Sequence, residues 1–331
     1  MRDLFPLGKV WMTEMAVPAF YAAEHLTMTL HGHVVDQDGP LVIVSAGMHG
    51  DEICGLEIIR RLITEVLPHV QRGGVILLPM MNVYGFMQQS RYLPDRRDLN
   101  RMFPGKKSGS LSSRFAHMLS QDVFAEASVI LDLHSATLSR TNFPHIRYTD
   151  GDDKAKQIAT DFAAPVTLKV SSVQGSLRAW ATKQGIPTLV YEAGEALHID
   201  EASINFGVSG VANVLRAMDI LPGGKAPITE ETSPENATTL FSATKWIRSP
   251  EGGMLISAVS IGQHIQKGQH LGHISSPFHI RKSPVKSPVS GVVISTLTCP
   301  WVNEGDGLFH IAYATERSRD MRLDPIETAR V

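Results

Sequence analysis

His49 and Glu52 lie three residues apart in Ser45-Ala46-Gly47-Met48-His49-Gly50-Asp51-Glu52, and with the Glu in a first helical turn the two side chains can turn toward one metal ion. A second His-x-x-Glu, His198 to Glu201, reads as the start of a surface helix. The first copy differs in its context. It follows an apolar run, glycines flank it, and another candidate ligand ends a second apolar run. That residue is His134, in Ile130-Leu131-Asp132-Leu133-His134-Ser135. A histidine ending a strand is by itself more often a hydrogen-bonded structural group. Joined to the other two, it completes the two-histidine, one-carboxylate set that catalytic zinc sites recurrently use, with a fourth position for water. A zinc hydrolase also needs a base and a donor for the developing oxyanion. Glu192, after the apolar Pro187-Thr188-Leu189-Val190-Tyr191, is either that base or a salt-bridged strand end. Cationic candidates cluster between Arg91 and Arg101, where six of eleven residues are charged; the other reading of this run is a solvated loop.

The elements that must position these residues follow from hydrophobic periodicity. Residues 41–46 and 128–133 are short runs rich in branched residues, which predict buried strands, and 74–81 and 187–192 are similar with less regular patterns. Ile53, Leu56, Ile59, Ile63 and Val66 recur at helical spacing, and helical patterns also fit 111–125, 152–162, 176–184 and 199–218. Strands alternating with helices over residues 1–222 predict an α/β domain with a largely parallel sheet covered by helices on both faces, and in such sheets function gathers beyond the carboxyl ends of the strands. Length and composition agree: 331 residues, 43% hydrophobic and 19% charged, can build a large core. A net charge of −2 argues against nucleic-acid or anionic-membrane partners. No run suits a signal peptide or a membrane span, and the two cysteines, Cys54 and Cys299, suit a reducing compartment, so the expected location is cytoplasmic. Homo-oligomerisation stays open.

Residues 223–238 have a linker composition, rich in Pro and acidic residues without periodicity, and 316–331 read as a tail. Between them, 239–315 contain an internal repeat. Ser249-Pro250, Gly253 and Ile256-Ser257 recur as Ser287-Pro288, Gly291 and Ile294-Ser295. After a one-residue slip, Ile265, Gly268, Leu271 and Ile274 recur as Val302, Gly305, Leu308 and Ile311. Two such halves predict a small all-β domain with internal two-fold symmetry, and the segment resembles the barrel-sandwich fold of lipoyl and biotinyl carriers. Those carriers place a modified lysine on the hairpin between halves. Phe278 stands there instead, so the expected role is structural or substrate-gating.

The HGDE segment, the RDLNR segment, the later LH and the EAGE segment, taken in this order, resemble the succinylglutamate desuccinylase/aspartoacylase family, a branch of the carboxypeptidase A-like zinc hydrolases. The resemblance covers about residues 15–222. It implies a carboxypeptidase-like mixed, largely parallel sheet, one Zn2+ per chain on His49, Glu52 and His134, and Glu192 as the residue that activates the water. It also implies that Arg91 polarises the scissile carbonyl, that Asn100 and Arg101 grip a substrate carboxylate, and that Asp98 orients His49. Arg91 lies two residues further from the DLNR segment than in mammalian aspartoacylases, so Arg96 and Arg97 are alternatives. Glu195 replaces part of the Pro-Gln that follows the catalytic segment there, which leaves the acyl group open; Glu195 is also the next candidate base. The function expected is hydrolysis of the amide bond of a small N-acyl amino acid. The alternatives are a zinc carboxypeptidase or peptide amidase and, from another class, a metal-free binding protein on the same fold. A serine hydrolase is disfavoured because no G-x-S-x-G occurs. Of the remaining candidates, His31 and His33 are expected on the exposed face of an N-terminal strand and Cys54 packed in the ligand-bearing helix. His264, His270 and His273 match no ligand spacing. His145, expected on a loop after His134, is a candidate to line the site.

Overall fold

A computed structural model describes residues 6–19, 26–223, 238–276, 278 and 282–315. The predicted linker and tail fall almost wholly outside them. The apolar runs form strands β3 (Leu41–Ser45), β4 (Gly74–Leu78), β5 (Val129–His134) and β8 (Thr188–Glu195), which lie side by side and parallel in the order β4-β3-β5-β8. β3, β4 and β5 are short and wholly buried, because both of their faces are covered, and β8 is buried over most of its length. Val42, Val44 and Leu131 pack on helices α1 (Cys54–Glu65), α4 (Asp153–Phe162) and α6 (Glu201–Ala217). Leu41, Ile43 and Ile130 point the other way, toward α2 (Val83–Met87), α3 (Leu111–Met118) and α5 (Leu177–Lys183). Ser110, Asp152, Ser176 and Asp200 cap the N-termini of α3, α4, α5 and α6 with their side-chain oxygens.

Beyond this centre the sheet is mixed, in keeping with the mixed, largely parallel sheet expected of the catalytic domain. Strands β1 (Val10–Ala16) and β2 (Thr27–Val34) add antiparallel on the β4 side. On the β8 side, β6 (Arg140–Thr149) runs antiparallel to β8, and β7 (Val166–Val170) runs parallel to β6. The sequence shows no helical crossover before β6: only a few residues separate β5 from β6, too few for a parallel return. Two expectations fail. His33 is buried, with Nδ1 2.8 Å from the Leu67 carbonyl, rather than on an exposed face. Glu52 lies two residues before α1 starts, in the turn leading into it, rather than in a helical turn. Among the described residues no helix is long and apolar enough to cross a membrane.

The C-terminal repeat appears as two sets of four strands. The first half is β10 (Ala243–Arg248), β11 (Gly253–Ser257), β12 (His264–Ile265) and β13 (His270–Ser275); the second is β14 (Lys282–Lys286), β15 (Gly291–Leu297), β16 (Trp301–Val302) and β17 (Gly307–Tyr313). The halves exchange strands. One layer runs β10-β17-β15-β12 and the other β14-β13-β11-β16, the same order with the halves interchanged. The repeated apolar residues Ile265, Leu271, Ile274, Val302, Leu308 and Ile311 fill the space between the layers. This module also extends the large sheet. Ser295, Thr296 and Leu297 of β15 pair with Asn142, Thr141 and Arg140 of β6, while β9 (Thr239–Phe241) pairs with β7.

The packing of α4 on α6 sets the distance at which α6 covers β8. Phe162, 2% exposed, lies over Gly210, where an added Cβ would meet its ring at 2.1 Å, and its ring centroid is 5.3 Å from that of Tyr191 on β8. Phe162→Ala should therefore destabilise the fold by about 3–5 kcal/mol, the usual cost of emptying an aromatic site in a core. Urea unfolding monitored by far-UV circular dichroism checks this; an unchanged midpoint would show that the helices close the gap.

Candidate metal centre and active-site cavity

The loop carrying the first two candidate ligands leaves β3 and is pinned on three sides. Ala46 N–H bonds to Leu78 O at 2.9 Å, Gly50 N–H to Ser90 O at 3.0 Å, and Leu197 N–H to Asp51 O at 2.8 Å. Gly47 takes a left-handed φ of 62° and turns the chain sharply off the strand. Gly50 lets the loop lie against the backbone of α2: a Cβ there would stand 1.9 Å from the Gly85 carbonyl carbon. The Glu52 N–H then bonds back to His49 O at 3.2 Å, closing a turn that brings both side chains to one side.

His49, Glu52 and His134 meet, each offering a donor atom within 4.8 Å of the others. Glu52 bridges the two rings: Oε1 is 2.6 Å from Nδ1 of His49, and Oε2 is 2.8 Å from Nδ1 of His134. The remaining ring nitrogens are held by carboxylates, His49 Nε2 by Asp98 at 3.2 Å and His134 Nε2 by Asp132 at 2.8 Å. Asp132 in turn accepts from Ser45 Oγ at 2.9 Å, tying β5 to β3, and Asp98 takes a two-pronged contact from Arg91 at 3.1 and 2.8 Å. Burial by itself would depress both imidazoles and raise the Glu52 carboxyl. Instead Glu52 with Asp98 holds His49 up, Asp132 with Glu52 holds His134 well up, and the two rings hold Glu52 far below the usual carboxylate range. Asp98 is likewise lowered against its burial, by His49 and Arg91.

This donor set fits a divalent cation. Imidazoles whose outer nitrogens donate to carboxylates present a lone pair inward from Nδ1, the arrangement that orients metal ligands. With neutral rings, the three carboxylates Glu52, Asp98 and Asp132 set against Arg91 leave two negative charges to be balanced.

The cluster opens onto a cavity of about 240 Å³, which Arg91, Asn100, Arg101 and Glu192 also line. Glu192 lies beside His134 in the β5–β8 register, so the parallel pairing places it one strand away from the ligands. Its Oε2 accepts from Asn142 Nδ2 at 3.0 Å, and its Oε1 is 3.6 Å from Arg147 Nη1. Asn100 uses its side-chain oxygen on Leu177 N–H, at 2.9 Å, which leaves its amide NH2 for a ligand. Arg101 is about half exposed, with Nη1 2.7 Å from the Asn100 carbonyl. Of the arginines in that segment, Arg91 and Arg101 reach the cavity, while Arg96 and Arg97 are exposed outside its lining. Glu195 is also outside it, accepting from Thr298 Oγ1 at 2.5 Å.

Several lining residues have no counterpart in the sequence reading. Asp132 was legible in retrospect, since alternation on β5 puts it on the same face as His134. Arg140, Arg147 and Arg178 make the wall strongly cationic; burial pushes Arg178 down to about 10, with Arg147 adding to it. Trp246, Ser295 and His310 come from the C-terminal module. Trp246 stacks on His310 with centroids 4.2 Å apart, and the Arg140 guanidinium lies 4.9 Å over the indole. Burial, followed by Arg147 and Arg140, pushes His310 down to about 3. These contacts depend on a fold-level junction that no local motif encodes. His145 is on β6, not on a loop, and is wholly buried outside the lining. Cys54 is packed as expected, its thiol 3.1 Å from His198 O at the start of α1.

An α/β sheet with a buried two-histidine, one-carboxylate cluster beyond the carboxyl ends of its parallel strands defines the class: a catalytic-type fold with a candidate metal centre. The model of the succinylglutamate desuccinylase/aspartoacylase catalytic domain matches residues 38–218, and the chain belongs to that family. A sequence relative is the N-alpha-acetyl-L-2,4-diaminobutyric acid deacetylase of Halomonas elongata, 25% identical over 289 residues, 84% of each chain. Among solved structures, a succinylglutamate desuccinylase/aspartoacylase from Rhodobacter sphaeroides superposes with a TM-score of 0.82 at 22% identity, covering 92% of this chain and 96% of its own. The product-bound ectoine utilization protein EutE (DoeB) from Ruegeria pomeroyi has a TM-score of 0.81 at 20% identity, covering 94% and 97%.

Gly50→Ala puts a methyl group into the backbone of α2, so the ligand loop must move. We expect the variant to stay folded and to bind divalent metal at least tenfold more weakly, in line with the usual 10- to 100-fold effect of disturbing the surroundings of a metal site. Competition with a chromophoric chelator checks this; wild-type affinity would show that α2 yields instead.

Proposed function

We propose that the protein is a zinc-dependent hydrolase that cleaves the amide bond of a small N-acyl amino acid. The observation that carries this reading is that one cavity joins the His49–Glu52–His134 cluster, Glu192, Asn100 and Arg101. The Halomonas elongata relative, by its name a deacetylase of an N-acetylated amino acid, supports it. His49, Glu52 and His134 would hold the zinc, which when bound supplies Lewis-acid polarisation and a nucleophile at neutral pH.

The chain's own groups do the rest. Arg101 offers a planar fork to the substrate carboxylate, with the Asn100 amide beside it. Arg91, its other prongs fixed on Asp98 and Nη1 3.5 Å from Glu52, faces the place where negative charge develops on the carbonyl oxygen. Glu192 takes a proton from the attacking water and delivers it to the leaving nitrogen. The reading favours small substrates over a carboxypeptidase or peptide amidase activity, because Trp246 and His310 wall the cavity at about 240 Å³. Residues 239–315, read as a barrel-sandwich-like domain, thereby act as the wall of the catalytic domain 1–222. A carrier role has no support: Phe278, 85% exposed, occupies the place of the carrier lysine.

Protein purified without chelator should contain roughly one zinc per chain, as three-ligand catalytic sites do. Elemental analysis checks this, and a His49→Ala/His134→Ala double variant should lose the metal. In a screen of N-acetyl, N-succinyl and N-formyl amino acids, Glu192→Gln should keep the zinc and turn over its best substrate roughly 10²–10⁴-fold more slowly. Near-wild-type kcat in that variant would remove Glu192 from the mechanism.

A further inference from the structure

The β6–β8 ladder carries a bulge beside the cavity. Asn142 pairs with Gly194 and His145 with Glu192, so three steps on β6 match two on β8. The extra residue falls at Phe143-Pro144, and Pro144 has no N–H to lose from the ladder. In a regular strand Asn142 and Arg147, five residues apart, would face opposite ways. The inserted residue brings them to one face, and both line the cavity and reach the two oxygens of Glu192, Asn142 at 3.0 Å and Arg147 at 3.6 Å.

His145 anchors Arg147 behind this contact. Its Nδ1 is 2.7 Å from the Phe143 carbonyl, which can only accept, so Nδ1 carries the proton. Nε2 is then the lone-pair nitrogen, and it accepts from Arg147 Nε–H at 3.1 Å. The ring is neutral, in keeping with burial and the Arg147 charge, which together push its pKa well below the usual range. An arginine is ordinarily anchored by a carboxylate, which cancels its charge. Here the anchor is uncharged. Among the described residues Arg147 has one ion-pair partner, Glu192, and its guanidinium charge is directed there undiminished.

We propose that His145 is a positioning residue for hydrolysis: by fixing Arg147 through a neutral N–H···N contact, it sets the orientation of the Glu192 carboxylate. This rests on Glu192 acting as proposed above. Because His145 itself does not reach the cavity, its influence on turnover must pass through Arg147.

The test compares His145→Leu, His145→Gln, Arg147→Gln and the double variant His145→Leu/Arg147→Gln, each checked for zinc content and melting temperature. His145→Leu should lower kcat about 10- to 100-fold, the scale of a small misplacement transmitted to a reacting group, and leave KM within about twofold because no substrate contact is lost. Glutamine keeps an acceptor for Arg147 and should restore most of kcat. In the Arg147→Gln background, His145→Leu should have almost no further effect, since residues acting through one contact are non-additive. A full additional loss in the double variant, or a rise in KM as the main effect of His145→Leu, would overturn the proposal. If His145→Leu does not fold, Arg147→Lys, which keeps the charge but removes Nε–H, takes its place with the same expected kcat loss. A crystallographic arm needs no substrate. The Arg147–Glu192 contact should be lost with His145→Leu and kept with His145→Gln, and an unmoved Glu192 in the leucine variant would refute positioning. If the wild-type protein hydrolyses no N-acyl amino acid yet Glu192 moves as expected, the functional reading fails and the structural coupling stands.

Discussion

The site depends on Glu52, a carboxylate 3% exposed whose two oxygens touch two different imidazoles. A charge removed from water at this depth is tolerable only if its neighbours compensate it. Every other feature of the centre answers that requirement. His49 and His134 face it, Asp98 and Asp132 hold those rings from behind, and Arg91 and Ser45 hold the outer carboxylates. The chain of contacts runs from the β5–β3 pairing, across the loop after β3, to the segment around Arg91. An array of this kind cannot be assembled by one loop. It explains why β3 and β5 are adjacent, why their carboxyl ends coincide, and why the glycine loop must lie flat on α2.

The same logic separates what was legible in the residues from what was not. The strands at 41–46 and 128–133 and the helices they alternate with follow from periodicity, because both faces of the parallel centre are buried and the apolar runs are uninterrupted. The three candidate ligands that the structure brings together could be picked out because they follow the ends of such runs. The course of the sheet's outer strands could not. Whether β6 returns antiparallel or starts a new crossover depends on a short connection and on Pro144, which reads locally as a loop signal; His145 was misplaced for that reason. His33 was misjudged because alternation alone does not reveal that the far face of β2 is covered by the segment at Leu67.

The cationic wall is the least legible part. Arg140, Arg147 and Arg178 lie on β6 and α5 without motif spacing, and their convergence is a product of the bulge and of the junction with the C-terminal module. The repeat in 239–315 was plain in sequence, and its two-fold strand exchange follows from it. What the repeat does not encode is asymmetry. Ser295 and His310 line the cavity, whereas their equivalents in the first half stay remote from it, since only β15 of the module joins β6. A symmetric duplication has been put to use on one side.

The strand exchange also imposes an order on biosynthesis. The layer that walls the cavity interleaves β10 with β17, and β17 lies at residues 307–313. Chains emerge from the ribosome N-terminus first, with domains folding as they appear. The three candidate ligands and Glu192 are all out by residue 192, so the candidate metal centre can be complete while the wall is still missing. Throughout that interval the site is an open trough rather than a pocket, with Arg140 lacking the indole that later covers it. On the function proposed above, the cavity gains its size limit at the last strand, after the candidate ligands are in place.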